Sequence, residues 1–439
     1  MIWIILSLTA AAATLVYWGV VAAELLRAMW TLPTPRDGLK MAEAALSRQQ
    51  WPELLVVIPA HNEARTISQV ARSLMAEDYP RLRVVFALDR CSDNTESVLR
   101  SVVGGDERFE VVIVNHCPAD WAGKVHAVYA GLSGSTAARH AQVLVFADAD
   151  TWFERGCLRG CLALLERRKL GLLSLASTLT SDTWYERAVQ PVAGFQMLAM
   201  YPPYRANRTE RRRPLANGQF MMFTRDAYVR VGGHPMMRFH LLEDLAFSRT
   251  VAEAGLNPGF FMADGMLGCK MYHSWGEFRR GWKRIFTELA GRRAGKLQSL
   301  AVRLMVFSSL LPAASTAGLI AGATLGPWWV AVPCGAAIAT CLSSLLLGHR
   351  WGRTPLWTVV LHVPGAVLVG ALMIQAAGDL RAGRGINWGG RRYQRTAGLP
   401  TQASAEQGPG QSGRFPPLPE PAAAHTPVSG IQTPPAHAR

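Results

Sequence analysis

The chain has 439 residues, 49% of them apolar, with 46 Lys and Arg against 31 Asp and Glu for a formal charge of +15. This length and apolar content exclude a chain disordered throughout and leave room for one large core with added elements. The positive charge admits an anionic membrane surface, an anionic substrate or a nucleic acid. Its distribution favours the membrane. Basic residues concentrate at 205–213, 278–284, 291–296 and 381–395, and the last three clusters flank long apolar runs. No basic face interleaved with aromatic residues and no nucleic-acid-reading module is present, so nucleic acid is not an expected partner. The seven cysteines lack CxxC or His-paired spacing, which argues against a disulfide framework or a zinc site and fits a reducing compartment.

In chain order, MIWIILSLTAAAATLVYWGVVAAELL carries no Lys or Arg and a single acid near its end. At 1.5 Å per residue it is long enough to cross a ~30 Å hydrocarbon layer. It has neither a basic n-region nor a small-residue cleavage site, so residues 1–27 are expected to be a retained transmembrane anchor. Arg27, Arg36 and Lys40 follow and place its C-terminal end in the cytoplasm by the positive-inside rule. A multi-pass inner (plasma) membrane protein with a cytoplasmic catalytic domain is the expected localisation.

Residues 50–290 form the expected cytoplasmic domain. The β-branched runs at 54–60, 83–89, 109–115 and 141–150 each end in polar residues and alternate with helix-like stretches such as 64–77 and 124–135. That alternation predicts an α/β fold with a mainly parallel sheet covered on both faces. Ligands in such sheets bind beyond the carboxyl ends of the strands, where Asp89, Asn115 and Asp148 lie. Three further apolar stretches at 302–323, 327–347 and 356–377 predict two or three C-terminal transmembrane helices within residues 300–378. Three full crossings there would place the Arg-rich 381–395 segment outside, against the positive-inside bias. Either one segment, such as the Pro364-containing last one, does not fully cross, or the rule fails. Residues 396–439, rich in Pro, Gly, Ser, Ala and Gln, predict a disordered tail.

The stretch VLVFADADTW, residues 143–152, sets Asp148 and Asp150 at a spacing of two. On an extended strand both would point the same way, roughly 6 to 7 Å apart at 3.3 Å per residue. Such carboxylates repel unless a cation lies beside them, and a hard divalent ion, Mg2+ or Mn2+, takes oxygen ligands and completes its shell with substrate phosphates. The competing reading has Asp150 as N-cap to TWFERGCLRG.

The pair does not stand alone. VVIPAHNE (56–63), FALDRCSDNT (86–95), WAGKVHAVYAG (121–131), NGQFMMFTRDAYVRVGG (217–233) and LLEDLAFSRTVAEAG (241–255) follow in order. The series resembles family 2 of the glycosyltransferases, which implies a GT-A, Rossmann-like nucleotide-diphospho-sugar transferase domain and an inverting mechanism. CKMYHSWGEFRRGWKR (269–284) and GRGINWGGRRY (383–393) resemble the membrane-bound subgroup that glycosylates polyprenoid-type lipids, such as the hopene-associated and carotenoid glycosyltransferases.

The resemblance implies roles for individual residues. Ala60 and Glu63 would line the nucleotide, Asp89 would accept a hydrogen bond from the uracil ring nitrogen of a UDP-sugar, and Lys124 would stand by the base or phosphates. Asp93 reads as turn chemistry. Asp148 would lie near ribose and metal, and Asp150 would be the main metal ligand. Asp244 would be the general base that deprotonates the acceptor hydroxyl, with Glu243 holding it in place. Asn217, Gly218 and Gln219 match a loop between donor and acceptor sites. Processive relatives carry QxxRW where this chain has FRRGWKR, which leaves Arg280, Trp282 and Lys283 as candidates for the pyrophosphate or acceptor region. A basic amphipathic segment on lipid headgroups is the other reading of those residues.

The expectation is therefore a membrane-bound enzyme that moves one sugar to a lipid hydroxyl at the cytoplasmic face. A polysaccharide synthase that elongates and exports a glycan, and a catalytically dead membrane scaffold, are the alternatives. The missing QxxRW argues against the first, and the joint presence of Asp89, Asp148, Asp150 and Asp244 against the second.

Overall fold

The computed structural model describes residues 1–44, 51–208, 212–240, 242–388 and 391–393. The expected tail at 396–439 lies outside the described residues, as do 209–211 of the first basic cluster. Helices α1 (Ile2–Thr31) and α2 (Pro35–Ala44) lead into an α/β domain. Its first half alternates β1 (Leu54–Ala60), α3 (Ile67–Met75), β2 (Leu82–Asp89), α4 (Thr95–Val103), β3 (Phe109–Val114), α5 (Gly123–Gly134) and β4 (Val143–Ala147). There follow β5 (Thr151–Phe153), α6 (Cys157–Arg167), β6 (Leu172–Ala176), β7 (Thr178–Leu179), α7 (Trp184–Ala188), α8 (Gln190–Met200) and α9 (Pro203–Ala206). The domain closes with β8 (Phe220–Thr224), α10 (Arg225–Arg230), α11 (Gly233–Met236), α12 (Glu243–Glu253), β9 (Pro258–Met262), β10 (Leu267–Cys269) and α13 (Trp275–Leu289). Helices α14 (Ala294–Met305), α15 (Leu311–Leu325), α16 (Trp328–Trp351) and α17 (His362–Arg381) precede a hairpin of β11 (Ile386–Trp388) and β12 (Arg391–Tyr393).

Seven strands form one sheet in the order β3-β2-β1-β4-β8-β6-β9, parallel except where β8 runs against β4 and β6. The continuous apolar run of β1 is explained by burial on both faces. Leu54, Val56 and Ile58 pack in the core that holds α3, α4 and α6, whereas Leu55 and Val57 pack in the core that holds α5 and α12. On α5, a Cβ at Gly131 would stand 2.8 Å from Ala87 Cβ and 3.2 Å from Val57 Cγ1, so glycine sets how closely this helix lies on the sheet. Strand order reverses between β1 and β4, with α3 and α5 on opposite faces, and this opens a crevice at the carboxyl ends of those strands.

Strand β4 ends at Ala147, earlier than the 141–150 run suggests. Asp148 and Asp150 therefore sit in a turn, closed by Thr151 N–H and Oγ donating to the Asp148 carbonyl at 3.3 and 2.7 Å. The extended-strand geometry expected for the pair is thus replaced by a turn. The residue after Asp150 begins β5, and α6 starts only at Cys157 behind Gly156, which removes Asp150 as a helix cap.

Among the described residues four helical stretches are long and apolar enough to cross a membrane: Ile2–Glu43, Ala294–Leu325, Trp328–Trp351 and Leu356–Arg381. Three of them form a bundle of α1, α15 and α16 whose helices meet through small residues. A Cβ at Gly318 would stand 2.6 Å from Ser7 Cβ and 2.8 Å from Cys334 Sγ, and one at Gly322 would stand 2.7 Å from Ala331 N. Between α14 and α15 the backbone makes a π-helical turn at Val306–Leu310, just before Pro312, whose missing N–H and bulky ring disturb the regular ladder. The carbonyl of Phe307 in that turn accepts from Trp18 Nε1 at 3.1 Å.

The last helix behaves differently. Along α17, the His362 ring meets Trp18 edge-on at 5.7 Å, a Cβ at Gly365 would run into the Ala188 carbonyl, and one at Gly370 would stand 2.9 Å from Met305 Cγ. Near its end Asp379 accepts from Lys283 at 2.5 Å and Arg381 donates to Gln298 at 2.6 Å. Its buried face joins the core built from α8, α13 and α14, and so runs along the α/β domain.

The small-residue seam predicts that Gly318→Ile overpacks the bundle by about 1 to 3 kcal/mol. A lower melting temperature in detergent is the expected outcome, with Ile320→Leu, on the outward face at 59% exposure, leaving it unchanged.

Candidate functional site

The crevice between β1 and β4 holds a cavity of about 400 Å³. Each chain segment reaches it for a local reason. β1 delivers Ala60, after which Asn62 takes a left-handed turn (φ 59) and accepts from Ser92 N at 2.8 Å. Glu63 N donates to Thr95 Oγ at 2.8 Å, and the Glu63 carboxylate accepts from Thr66 Oγ at 2.6 Å. Burial raises the Glu63 pKa, only partly offset by that bond. Asp93 accepts from Thr95 N and Ala64 N at 3.0 and 3.2 Å; burial opposes its ionisation, but these bonds and the Thr95 hydroxyl hold its pKa down. It fastens the turn that begins α4.

Asp89, at the end of β2, is 3% exposed. Its carboxylate is held by both ends of the Arg90 guanidinium, Nε at 2.8 Å and Nη2 at 2.7 Å. A base edge would share lone pairs that each oxygen keeps free. His61 Nδ1 donates to the Asp89 carbonyl at 2.6 Å.

The centre of the site is Lys124, at the second residue of α5. Its Nζ lies 2.7 Å from Asp148 Oδ1, 2.8 Å from Glu243 Oε1 and 3.3 Å from the Gly218 carbonyl. Burial alone would depress this ammonium, but the two carboxylates raise its pKa well above the ordinary lysine value, so it stays charged. Asp148 is raised by burial against the pull of Lys124. Asp150 is pushed up to about 8 by burial first, then by Asp148 and Glu63.

The antiparallel step from β4 to β8 sets Phe220 opposite Ala147 and so brings the loop Asn217–Gly218–Gln219 to the same strand end. Asn217 N donates to Ser174 Oγ at 2.7 Å and its side chain to Gln219 Oε1 at 2.9 Å. A Cβ on Gly218 would stand 2.8 Å from Lys124 Nζ, 3.2 Å from Glu243 Oε1 and 3.4 Å from Asp244 Oδ2. Glycine is required here by the charged cluster itself. Asp244, in the first turn of α12, accepts from Gly218 N at 2.8 Å and Leu245 N at 2.6 Å. Burial first and Glu243 second push its pKa up to about 6. Glu243 holds Lys124, and Asp244 is held by the two backbone N–H groups.

The small sheet β5-β10-β7 brings Met271 and Tyr272 to the cavity, and Tyr272 packs where Gly281 leaves α13 without a Cβ. From α13, Trp282 and Arg284 line the cavity. Lys283 does not. It pairs with Asp379 of α17 and so braces α13, away from the cavity lining. Arg280 is exposed and turned back toward Gly276, also outside the lining. Arg90, Tyr272 and Ser177 carry no signal in the sequence that singles them out, and Arg284 is one of several cations in its segment. In Arg-Arg-Gly-Trp-Lys-Arg every cation satisfies the same basic pattern, and only the packing of α13 between α17 and the site distinguishes them.

Among the described residues no group of three His, Cys, Asp or Glu side chains stands ready to hold a metal. The donor chemistry nevertheless fits a hard divalent ion that shares its shell with phosphate oxygens, because Asp150, whose carboxyl meets the Cys269 thiol, keeps Oδ1 buried in the cavity wall with no hydrogen-bond partner among the described residues. The cavity lining also has an apolar part, Ala176, Leu179, Met197, Leu215, Ile285 and Leu289, all but Leu179 belonging to the core that joins α8, α13, α14 and α17.

Residues 55–243 match the family model described as Glycosyl transferase family 2. Among curated proteins, the 4,4'-diaponeurosporenoate glycosyltransferase of Staphylococcus aureus strain MRSA252 is 23% identical over 350 residues, covering 77% of this chain and 88% of that protein. Similar solved structures include the mannosyltransferase PcManGT from Pyrobaculum calidifontis in complex with GDP-Man and Mn2+, with TM-score 0.44, 20% identity and coverage of 87% of this chain and 98% of that one. Another is S. aureus TarS 1–349 in complex with UDP, with TM-score 0.38, 13% identity and coverage of 80% and 98%.

Replacing Lys124 by Met removes the cation between a buried carboxylate, Glu243, and a half-buried one, Asp148, and a loss of about 1 to 3 kcal/mol is expected, below that of a fully buried cluster because water reaches Asp148. The folded pKa values of Asp148 and Asp244 already lie above their unfolded values. Their contribution to stability is therefore present at low pH and lost as pH rises through the folded values, and the variant exaggerates this. Thermal melts should show a Lys124→Met deficit that is larger at pH 8 than at pH 5; a deficit independent of pH would contradict the electrostatic account.

Proposed function

The chain is a glycosyltransferase with a family 2 domain at residues 55–243, and we propose that it moves a single sugar, with inversion, from a nucleotide-diphosphate donor to a lipid hydroxyl. The observation that carries this reading is one cavity with two unlike walls. Its polar wall holds Asp89, Lys124, Asp148, Asp150, Glu243, Asp244 and Arg284, and its apolar wall leads toward α8 and α13, which pack on the membrane-type helices. The S. aureus relative is by name a 4,4'-diaponeurosporenoate glycosyltransferase, which supports glycosyl transfer; its named acceptor is a carboxylate, and the hydroxyl in this reading rests on Asp244.

In this reading the nucleotide lies along Ala60, Glu63 and Asp89, with the diphosphate toward Asp148, Asp150 and Arg284. Asp150 and Asp148 would hold Mg2+ or Mn2+, which supplies charge to the departing diphosphate when bound. Asp244 accepts the proton of the acceptor hydroxyl as that oxygen bonds to the anomeric carbon and the bond from that carbon to the diphosphate oxygen breaks. The N–H groups of Gly218 and Leu245 fix the orientation of Asp244 and leave each of its oxygens a second lone pair for the acceptor. A pKa near 6 keeps it mostly ionised at neutral pH yet basic enough to take a proton in the transition state.

Three helices cross the membrane in the proposed arrangement, and α17 does not. Arg353, just past α16, pairs with Asp264 of the domain at 2.7 Å, and α17 begins beside Trp18, midway along α1, and returns along α14 to Lys283. The Arg-rich segment then stays on the domain side with Arg27, Arg36, Lys40 and Arg293, while the far turn Gly326–Trp329 carries no charge. This supports a cytoplasmic domain and removes the conflict over charge.

Asp150→Asn and Asp244→Asn should each lower transfer by about 10²-fold or more. Labelled UDP-glucose or GDP-mannose fed to membranes, with lipid mass spectrometry as readout, measures this and names the product. Only Asp150→Asn should weaken Mn2+-dependent nucleotide binding in calorimetry; unchanged binding would sink the metal assignment. With Asp244 as base, transfer should fall about tenfold per pH unit below about 6. For the topology, fusions after Arg384 should give fluorescent green fluorescent protein and inactive alkaline phosphatase in a bacterial inner membrane. Active phosphatase there would overturn the returning helix.

A further inference from the structure

We infer that the apolar chain of the acceptor reaches the site through a passage beneath α8 that opens between the domain-side ends of α1 and α16. This rests on the reading of a lipid acceptor above and adds where such a molecule binds. A second cavity, of about 110 Å³, is lined by Leu25 of α1, by Gly348, His349 and Trp351 of α16 with Gly352 just past it, and by Gly194, Phe195 and Leu198 of α8. It shares Ala176, Ser177, Leu179 and Met197 with the main cavity, so the two cavities adjoin at these residues.

The passage suits a hydrocarbon. Its larger polar side chains are engaged within the protein: Glu186 accepts from Thr180 Oγ, Asp182 N and Thr183 N at 2.7 to 2.9 Å, and Gln190 Nε2 donates to the Thr180 carbonyl at 2.7 Å. His349 Nδ1 donates to the Leu345 carbonyl at 2.8 Å. Ser177 differs. At the junction of the two cavities, in a residue 9% exposed, its Oγ is buried with no hydrogen-bond partner among the described residues. An unpartnered hydroxyl there is costly in an empty protein and is matched by an oxygen-bearing head group arriving at the end of an apolar tail. Gly194 faces open space, with no atom within 4 Å of where a Cβ would lie, and the Phe195 ring lies directly on the α16 backbone at Gly348. Met197, unbranched and flexible, stands at the narrow point, where a side chain able to rearrange can let a chain past.

The test is photolabelling of the purified full chain in lipid nanodiscs with a diazirine-bearing long-chain polyprenol, mapped by mass spectrometry. Labels are expected on residues 190–200 and 348–354. Gly194→Trp and Met197→Trp, which fill the passage, should each cut that labelling about tenfold. Val332→Trp on the outward face of α16, at 62% exposure, should leave it unchanged. Melting temperatures check that each variant folds, and the map of the parent chain is decisive even where one does not. Labels confined to the outward faces of the bundle, labelling unaffected by either filling variant in folded protein, or equal labelling by a diazirine phospholipid would each overturn the passage. Failure of the lipid-acceptor reading shows separately, as labelling inside the passage with no sugar in the lipid extract.

Discussion

One ammonium group holds the site together. Lys124 stands between Asp148, from the turn after β4, and Glu243, from the start of α12, at 2.7 and 2.8 Å, and also reaches the carbonyl of Gly218. Those three segments are separated by dozens of residues in the chain, and each carries a charge or dipole that would be poorly placed without the others. Two carboxylates 4 Å apart repel by about 4 kcal/mol at an effective dielectric near 20. A central cation turns that repulsion into a fixed arrangement, and the absence of a side chain at Gly218 is the steric condition for it. Asp150, outside the Lys124 ion pairs, keeps one oxygen buried with no hydrogen-bond partner among the described residues.

The membrane side of the molecule depends on a different contact. Helices α8 and α13 belong in sequence to the α/β domain, but their apolar faces join α14 and α17 in one core containing Phe278, Trp282, Phe286, Leu297, Val369 and Met373. Trp282 is thus shared between that core and the wall of the site. The site and the membrane-type helices are consequently one packed body. The ion pair of Lys283 with Asp379 fastens α13 to α17 at 16% and 18% side-chain exposure, where partial burial strengthens it relative to a surface pair.

Much of this was legible in the sequence, for identifiable reasons. The strands were legible because a parallel sheet covered on both faces requires uninterrupted β-branched runs: LLVVIPA is β1 residue for residue. The membrane-type helices were legible because length and apolarity suffice to mark them. What failed was local direction. The apolar run of β4 continues smoothly into Ala-Asp-Ala-Asp, so nothing in it announces that the strand stops at Ala147 and a turn begins. In FRRGWKR, Lys283 and Arg284 are neighbours of the same charge, yet one braces a helix and the other lines the cavity.

The sequence by itself determined which residue types were available and in what order: the α/β alternation, the acidic pairs, the apolar stretches and the basic segments beside them. These follow from periodicity, composition and length, which act over a few residues and need no partner. Only the tertiary structure decided that Lys124 joins Asp148 to Glu243, that Asp244 is held by Gly218 N–H, and that α17 turns back along the domain. Each of these is a contact between distant segments, and its existence depends on how strand order reverses at β1 and β4 and on how α13 packs, neither of which leaves a trace in any single stretch of the chain.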